Sequence, residues 1–320
     1  MKVEKIEVAD CEIRIDAPVK VTTCGNVIEH MTMSKVNRRG TSIINLGDYK
    51  YCLPSDIDTE TGEIKQVREM NRTENRAENV NGLAKSMKAV RDLINCNVLD
   101  PATVRWMTFT YAENMTDRER LYTDRKAFWK RVVRWHIRND LPIPEYIAIA
   151  EPQGRGAWHL HELWLYPSKA PYLPNNEIAE LWQQGFVTVK KLDSVDNVGA
   201  YITAYLCDVP IEEYEGYADP QQIKVVEVAQ EDGTTATKKY IKGGRLHLYP
   251  AKMNFYRTSR GVKRPTVEWL EPMKAKEKVS SAKLTFSKAI RLVGDDDSFT
   301  SDIKYEYYNT VRGKSQEATE

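Results

Sequence analysis

The 320-residue chain has no apolar run approaching the roughly 18 residues that a bilayer span needs. Its opening residues, MKVEKIE, hold no apolar signal core, so the expected location is the cytoplasm, with no membrane partner. Cysteine is scarce and scattered. Cys11, Cys24, Cys52, Cys96 and Cys207 are odd in number and show no CxxC spacing, which argues against a disulfide framework or a zinc finger and fits free thiols in a reducing compartment. There is no GxxxxGK[ST] phosphate loop, so any helicase must be a partner. Charge of one sign is also missing: 47 Lys and Arg nearly cancel 46 Asp and Glu, leaving local patches to decide whether a polyanion binds. What is present is enough apolar residue, 41%, for a core of one large domain or two modest ones.

Histidine is rare too, at five, yet two of the five stand one residue apart in YIAIAEPQGRGAWHLHELWLY, residues 146–166. On an extended strand, side chains at i and i+2 share a face, which sets His159 and His161 about 6 to 7 Å apart along one edge of a cleft. The turn-rich PQGRGA separates two apolar runs that read as antiparallel neighbours. If Glu151 pairs opposite either histidine, its carboxylate joins both imidazoles on one sheet face. Such a set of two nitrogens and one oxygen with open positions suits Mn²⁺ or Mg²⁺ acting on phosphates, and also fits a catalytic zinc. Hydrogen-bonded core histidines are the alternative. A carboxylate delivered from the next strand favours the metal.

Along the chain, residues 1–79 read as a β-rich arm (CEIRI, TSIINL) followed by a polar connection. Val80 to Asn95 carries apolar residues at the spacing of an amphipathic helix, and VRWMTFTY, residues 104–111, reads as a buried strand. Asp117 to Ile137 is a helix ended by Asn139 and by Pro142 and Pro144. The histidine hairpin follows, then a helix from Asn175 to Gln184, a strand from Phe186 to Leu192 and a helix from about Asp196 to Cys207. The resulting order, β-α-β-β-α-β-α over residues 80–210, predicts an α+β fold: a ferredoxin-like or RRM-like antiparallel sheet with helices on one face and β-rich N- and C-terminal additions. Residues 211–310 combine an acidic stretch, a hairpin through Glu231, Asp232 and Gly233, and a basic extension; residues 311–320 are expected to be a disordered tail.

The basic extension, residues 238–265, holds nine Lys or Arg and no acid, interleaved with Tyr240, Tyr249, Phe255 and Tyr256. Cations neutralise phosphates while aromatics stack on bases, which suits single-stranded nucleic acid. Candidate contacts are Lys238, Lys239, Lys242, Arg245, Arg257 and Arg260, with Arg155 at the hairpin tip and Lys190 and Lys191 on the neighbouring strand. On the segment NVGAYITAYLCD, Tyr201 and Tyr205 stand at i and i+4 and share a helix face. Spacing alone favours packing for them.

The succession TFTY, Glu151, WHLHELW, GFVTVKKL and AYITAY resembles the HUH endonucleases, in particular the rolling-circle replication initiators of plasmids and phages. The resemblance covers residues 105–208 well and extends more loosely to GGRLHLYP and FYRTSRG. It implies that His159, His161 and Glu151 hold the divalent metal. It also implies that Tyr201 or Tyr205 attacks the scissile phosphate of a single-stranded or hairpin origin, leaving a 5′-phosphotyrosyl link and a free 3′-OH for a host polymerase. A lysine found in many relatives one turn after the nucleophile is absent; Ala204 and Asp208 stand there. A relaxase or transposase of the same superfamily, or a noncatalytic RNA- or single-strand-binding module, are the competing readings.

Overall fold

The computed structural model describes residues 3–35, 44–47, 50–69, 80–153, 156–192, 209–210, 223–229, 235–241, 248–250, 253–294 and 300–311. These form an α+β protein. Strands β1 (Val3–Glu7), β2 (Val19–Cys24), β3 (Val27–Met33), β4 (Ile44–Gly47), β5 (Lys50–Cys52) and β6 (Arg68–Glu69) precede helix α1 (Val80–Asn97). Then come β7 (Val104–Tyr111), α2 (Arg118–Arg138), β8 (Glu145–Pro152), β9 (Trp158–Leu165), α3 (Asn175–Trp182) and β10 (Gly185–Lys191). Short strands β11 (Val209–Pro210), β12 (Ile223–Ala229), β13 (Thr235–Ile241), β14 (Tyr256–Thr258) and β15 (Thr266–Leu270) follow, and α4 (Pro272–Lys278), β16 (Lys283–Gly294) and β17 (Thr300–Asn309) close the series. The helix expected from about Asp196 to Cys207, the stretch 211–222 and residues 312–320 lie outside the described residues.

The chain divides into two compact units. One comprises Met1–Val21, Glu29–Glu74 and Val267–Glu320, and its main sheet has the strand order β1-β16-β17-β3-β2-β15. Its long β16–β17 ladder is pinned across the strands by Arg291, which donates two hydrogen bonds to its register partner Asp302 at 2.7 and 2.8 Å. That bidentate pair holds the Asp302 carboxyl below its ordinary range. The CEIRI stretch, expected as strand, is irregular instead, because Asp302 accepts its backbone N–H at Glu12 and draws that hydrogen bond out of any ladder.

The second unit, Thr22–Ile28 with Asn75–Thr266, carries a five-stranded antiparallel sheet in the order β10-β7-β9-β8-β14. Its elements start and stop where the sequence chemistry dictates. Asp117 caps α2 by accepting from the N–H groups of Glu119 and Arg120, at 2.8 and 3.2 Å. Gln183 ends α3 in a left-handed conformation at φ 64°. Two residues on, Gly185 opens β10 at φ 151°, where a Cβ would lie 2.5 Å from both Thr110 O and Ala112 N. Only glycine fits so close a backbone approach.

Helices α2 and α3 cover one face of this sheet. Phe128 of α2 meets Phe109 of β7 edge-on at 4.8 Å and Trp182 of α3 at 5.5 Å, and it stacks on Trp164 of β9 at 6.2 Å. Burying each such side chain stabilises by about 1.5–3 kcal/mol or more. Within this apolar layer sits one ion pair. Arg125 Nε donates to Glu162 Oε1 at 2.8 Å, Trp164 Nε1 donates to Glu162 Oε2 at 2.7 Å, and the Arg125 guanidinium lies over the Tyr146 ring at 3.7 Å. Glu162 is wholly buried.

Removing one partner of such a pair strands the other charge in the core, whereas replacing both by apolar groups does not. Glu162→Ala is therefore expected to lower the urea-derived unfolding free energy by about 3–5 kcal/mol, with a Glu162→Met, Arg125→Met double variant recovering most of it. A single variant as stable as the parent contradicts this assignment.

Candidate active site

Strand alternation places the odd-numbered residues of β9 on the face away from α2 and α3, since the even-numbered Leu160, Glu162 and Trp164 point to the helices. Register then builds rows across that face. His159 lies between Thr110 of β7 and Glu151 of β8, and Phe186 of β10 continues the row. In the next row Thr188, Thr108, His161, Ile149 and Tyr256 succeed one another across all five strands. Lys190, Trp106, Leu163 and Ile147 form the third. A rigid antiparallel sheet therefore carries Glu151, His159 and His161 as near neighbours.

Hydrogen bonds orient the pair at the centre. His161 Nε2 stands 2.6 Å from Glu151 Oε2, and His161 Nδ1 stands 3.2 Å from the Thr108 hydroxyl. In the neutral ring Nε2–H donates to the carboxylate and Nδ1 accepts from Thr108, so the two partners together select one tautomer. The Trp106 ring lies against His161 at 5.4 Å between centroids. The two imidazoles are 6.2 Å apart at 70° between planes. Thr108 and Trp106 were not singled out by the sequence, where both read as strand residues like their neighbours.

The donor set suits a small divalent cation in type, and its arrangement fits in part. Two cis donors on an ion with bonds of about 2.1 Å are about 3.0 Å apart. The Glu151–His161 separation of 2.6 Å is within a few tenths of that, and a shared hydrogen occupies the point between them. Two imidazoles on adjacent positions of one ion would have centroids about 4.6 Å apart, so His159 must rotate inward to join. Accordingly, among the described residues no group of three or more His, Cys, Asp or Glu stands in a metal-holding arrangement.

Other candidates scatter. Lys190 shares the histidine face, while Lys191 lies in the Arg105 row on the opposite one. Arg257 also points to the helix side, its guanidinium 4.0 Å over the ring of Tyr122. Lys238 and Lys239 lie on β13, opposite Val226 and Val225, with Lys239 exposed, and Arg260 is exposed near the end of the unit. Arg155, Tyr201, Tyr205, Lys242 and Arg245 lie outside the described residues.

Two aromatics expected to stack on bases do not face solvent. Tyr249 is 0% exposed and donates its hydroxyl to Ala150 O at 3.2 Å, and Phe255 packs beside it at 5.6 Å, because β14 and its approach close the β8 edge of the sheet and bury them in the core. An exposed ring arises elsewhere, at Phe186, which is 70% exposed on the histidine face. Two other tyrosines, Tyr111 and Tyr166, are buried in the core. Burial pushes the phenols of Tyr111 and Tyr166 well above their ordinary pKa, with Asp124 adding to the effect at Tyr111. Tyr166 is further tied to His136 Nε2 at 2.9 Å.

Residues 104–209 match the family model of the replication-associated protein ORF2. The matched span encloses β7, α2, β8, β9, α3 and β10 and runs on through Tyr201 and Tyr205 to the first residue of β11, so Glu151, His159 and His161 and four of the five strands of that sheet fall inside it, with β14 outside. This supports a part in replication initiation. Neither the curated proteins nor the solved structures returned a match. No helix among the described residues is long and apolar enough to cross a membrane.

If Tyr249 is core, Tyr249→Ala should cost about 3–5 kcal/mol in urea unfolding, as aromatic truncations in cores do. The folded remainder should bind an oligonucleotide as the parent does. Weakened binding at full stability would return Tyr249 to the nucleic-acid surface.

Proposed function

We propose that the second unit is a ferredoxin-like HUH endonuclease that nicks and rejoins single-stranded origin DNA to start rolling-circle replication. The observation that carries this reading is the register that sets Glu151 opposite His159 and beside His161 on one face of a β-α-β-β-α-β sheet. The match to the replication-associated family over the same residues supports the replicative setting, and the strand order β10-β7-β9-β8 is consistent with the split β-α-β layout.

Glu151, His159 and His161 are the residues that would hold Mn²⁺ or Mg²⁺, and what such an ion supplies is positive charge beside a non-bridging oxygen of the scissile phosphate. Thr108 keeps the His161 ring turned so that Nε2 faces Glu151. The phenol of Tyr201 or Tyr205 attacks phosphorus in line; the new O–P bond forms as the bond to the 3′ oxygen breaks. The phenolic proton is lost, the 3′-hydroxyl leaves protonated, and the 5′-phosphotyrosyl diester conserves the bond for rejoining. Phe186 and Lys190, on the same face, stack on a base and neutralise a backbone phosphate. A host helicase and polymerase would act on the opened strand.

One observation favours a second reading: the Phe186 ring, exposed on the sheet face, also suits a noncatalytic single-strand- or RNA-binding module.

Incubation with single-stranded hairpin origins and Mn²⁺ should give a covalent adduct on a denaturing gel, abolished by chelation and by His161→Ala. Binding without any adduct in the parent favours the second reading. Phe186→Ala should weaken oligonucleotide binding by about 1–3 kcal/mol in anisotropy titrations under either reading. An unchanged affinity removes Phe186 from the surface.

A further inference from the structure

The 14 residues 125–138 of α2 contain Arg125, Lys126, Lys130, Arg131, Arg134 and Arg138 and no acid, in a chain whose formal net charge is +1. Arg125 is consumed inside by Glu162. Arg131 caps α3, its Nε donating to Leu181 O at 2.6 Å and its Nη2 to Trp182 O at 3.2 Å. Lys126, Lys130, Arg134 and Arg138 are exposed, and among the described residues none of them has an acidic partner. They recur every four residues, so they form one row about 18 Å long at 1.5 Å per residue. Like charges at i and i+4 destabilise a helix, and three such pairs follow one another here. Position at the helix C-terminus accounts for Arg138 alone, because the dipole effect fades within a turn.

Beside the row lies a groove of about 600 Å³ between α2 and α3, lined by Arg131, Arg134, Arg138 and Ile137 with Glu180 as its one acid. The groove has no aromatic wall on which an unpaired base could stack. Trp135 is half-buried and donates its Nε1–H to Glu177. This surface reads charge and spacing only, and it lies on the helix side of the sheet, away from His159 and His161.

We propose that the outer face of α2 binds the phosphate backbone of duplex DNA, as a second nucleic-acid site separate from the histidine face. The choice of DNA rests on the nucleic-acid reading above; the unpaired cationic row does not.

The test is a four-residue variant, Lys126→Gln, Lys130→Gln, Arg134→Gln and Arg138→Gln, in the full chain. Relief of the like-charge pairs should leave its thermal unfolding at or above that of the parent. Binding of a 20-base-pair duplex, followed by anisotropy from 50 to 200 mM salt, should weaken at least tenfold at the lowest salt. The slope of log K against log salt should shrink by about 3.6, at roughly 0.9 for each of the four phosphates no longer neutralised. An Arg134→Lys control, which keeps the charge, should retain the parent slope. Unchanged duplex affinity and slope overturn the proposal, as does a loss confined to polyglutamate, which would assign the face to an acidic protein. Duplex binding through α2 in a chain that forms no tyrosyl adduct would sink the nicking reading and leave this one standing.

Discussion

The buried pair between Glu162 and Arg125 is the constraint on which the second unit depends. A strand has a two-residue side-chain period, so a slip of one residue in β9 would turn Glu162 out of the helix layer and His159 and His161 into it. Glu162 is wholly buried and its two oxygens are taken by Arg125 and Trp164, which makes that slip costly. The ionic contact on one face thereby fixes which residues appear on the other. Arg125 is held from both sides, with the Tyr146 ring of β8 beneath its guanidinium, so the constraint reaches the neighbouring strand that supplies Glu151.

From this follows a division of the unit by face. The helix side packs Phe109, Phe128, Trp164 and Trp182 into a continuous aromatic layer. The far side carries Glu151, His159 and His161, with the Thr108 hydroxyl and the Trp106 ring against His161. Beyond the aromatic layer the outer surface of α2 collects cations, a segregation that the near-zero net charge of the chain conceals.

The strand pairing that sets Glu151 beside the two histidines was legible in the sequence because its determinants are local. The His-x-His spacing, the turn residues of PQGRGA and the apolar run before Glu151 bring the register within a short hairpin, and helix α2 announced itself by its apolar spacing and its Asp117 cap. What was not legible depends on distant partners. Pairing of β1 with β16 joins residues almost 290 positions apart and leaves no local period to read. Tyr249 and Phe255 look the same in a basic segment whether they face bases or a core, and only the β8–β14 pairing decides it. Phe186 alternates like any strand aromatic, yet its position on the edge strand leaves it bare. The basic row of α2 was masked by the apolar residues interleaved with it.

The central claim is that the histidine face and the tyrosines within the matched span act on one phosphate. Proteolysis and mass mapping of the protein recovered from single-stranded origin DNA and Mn²⁺ test it most directly. The account expects a nucleotide-bearing peptide that carries Tyr201 or Tyr205, lost when both are replaced by phenylalanine. DNA linked to Tyr256 instead, or adducts that persist in the Glu151→Ala, His161→Ala variant, would contradict it.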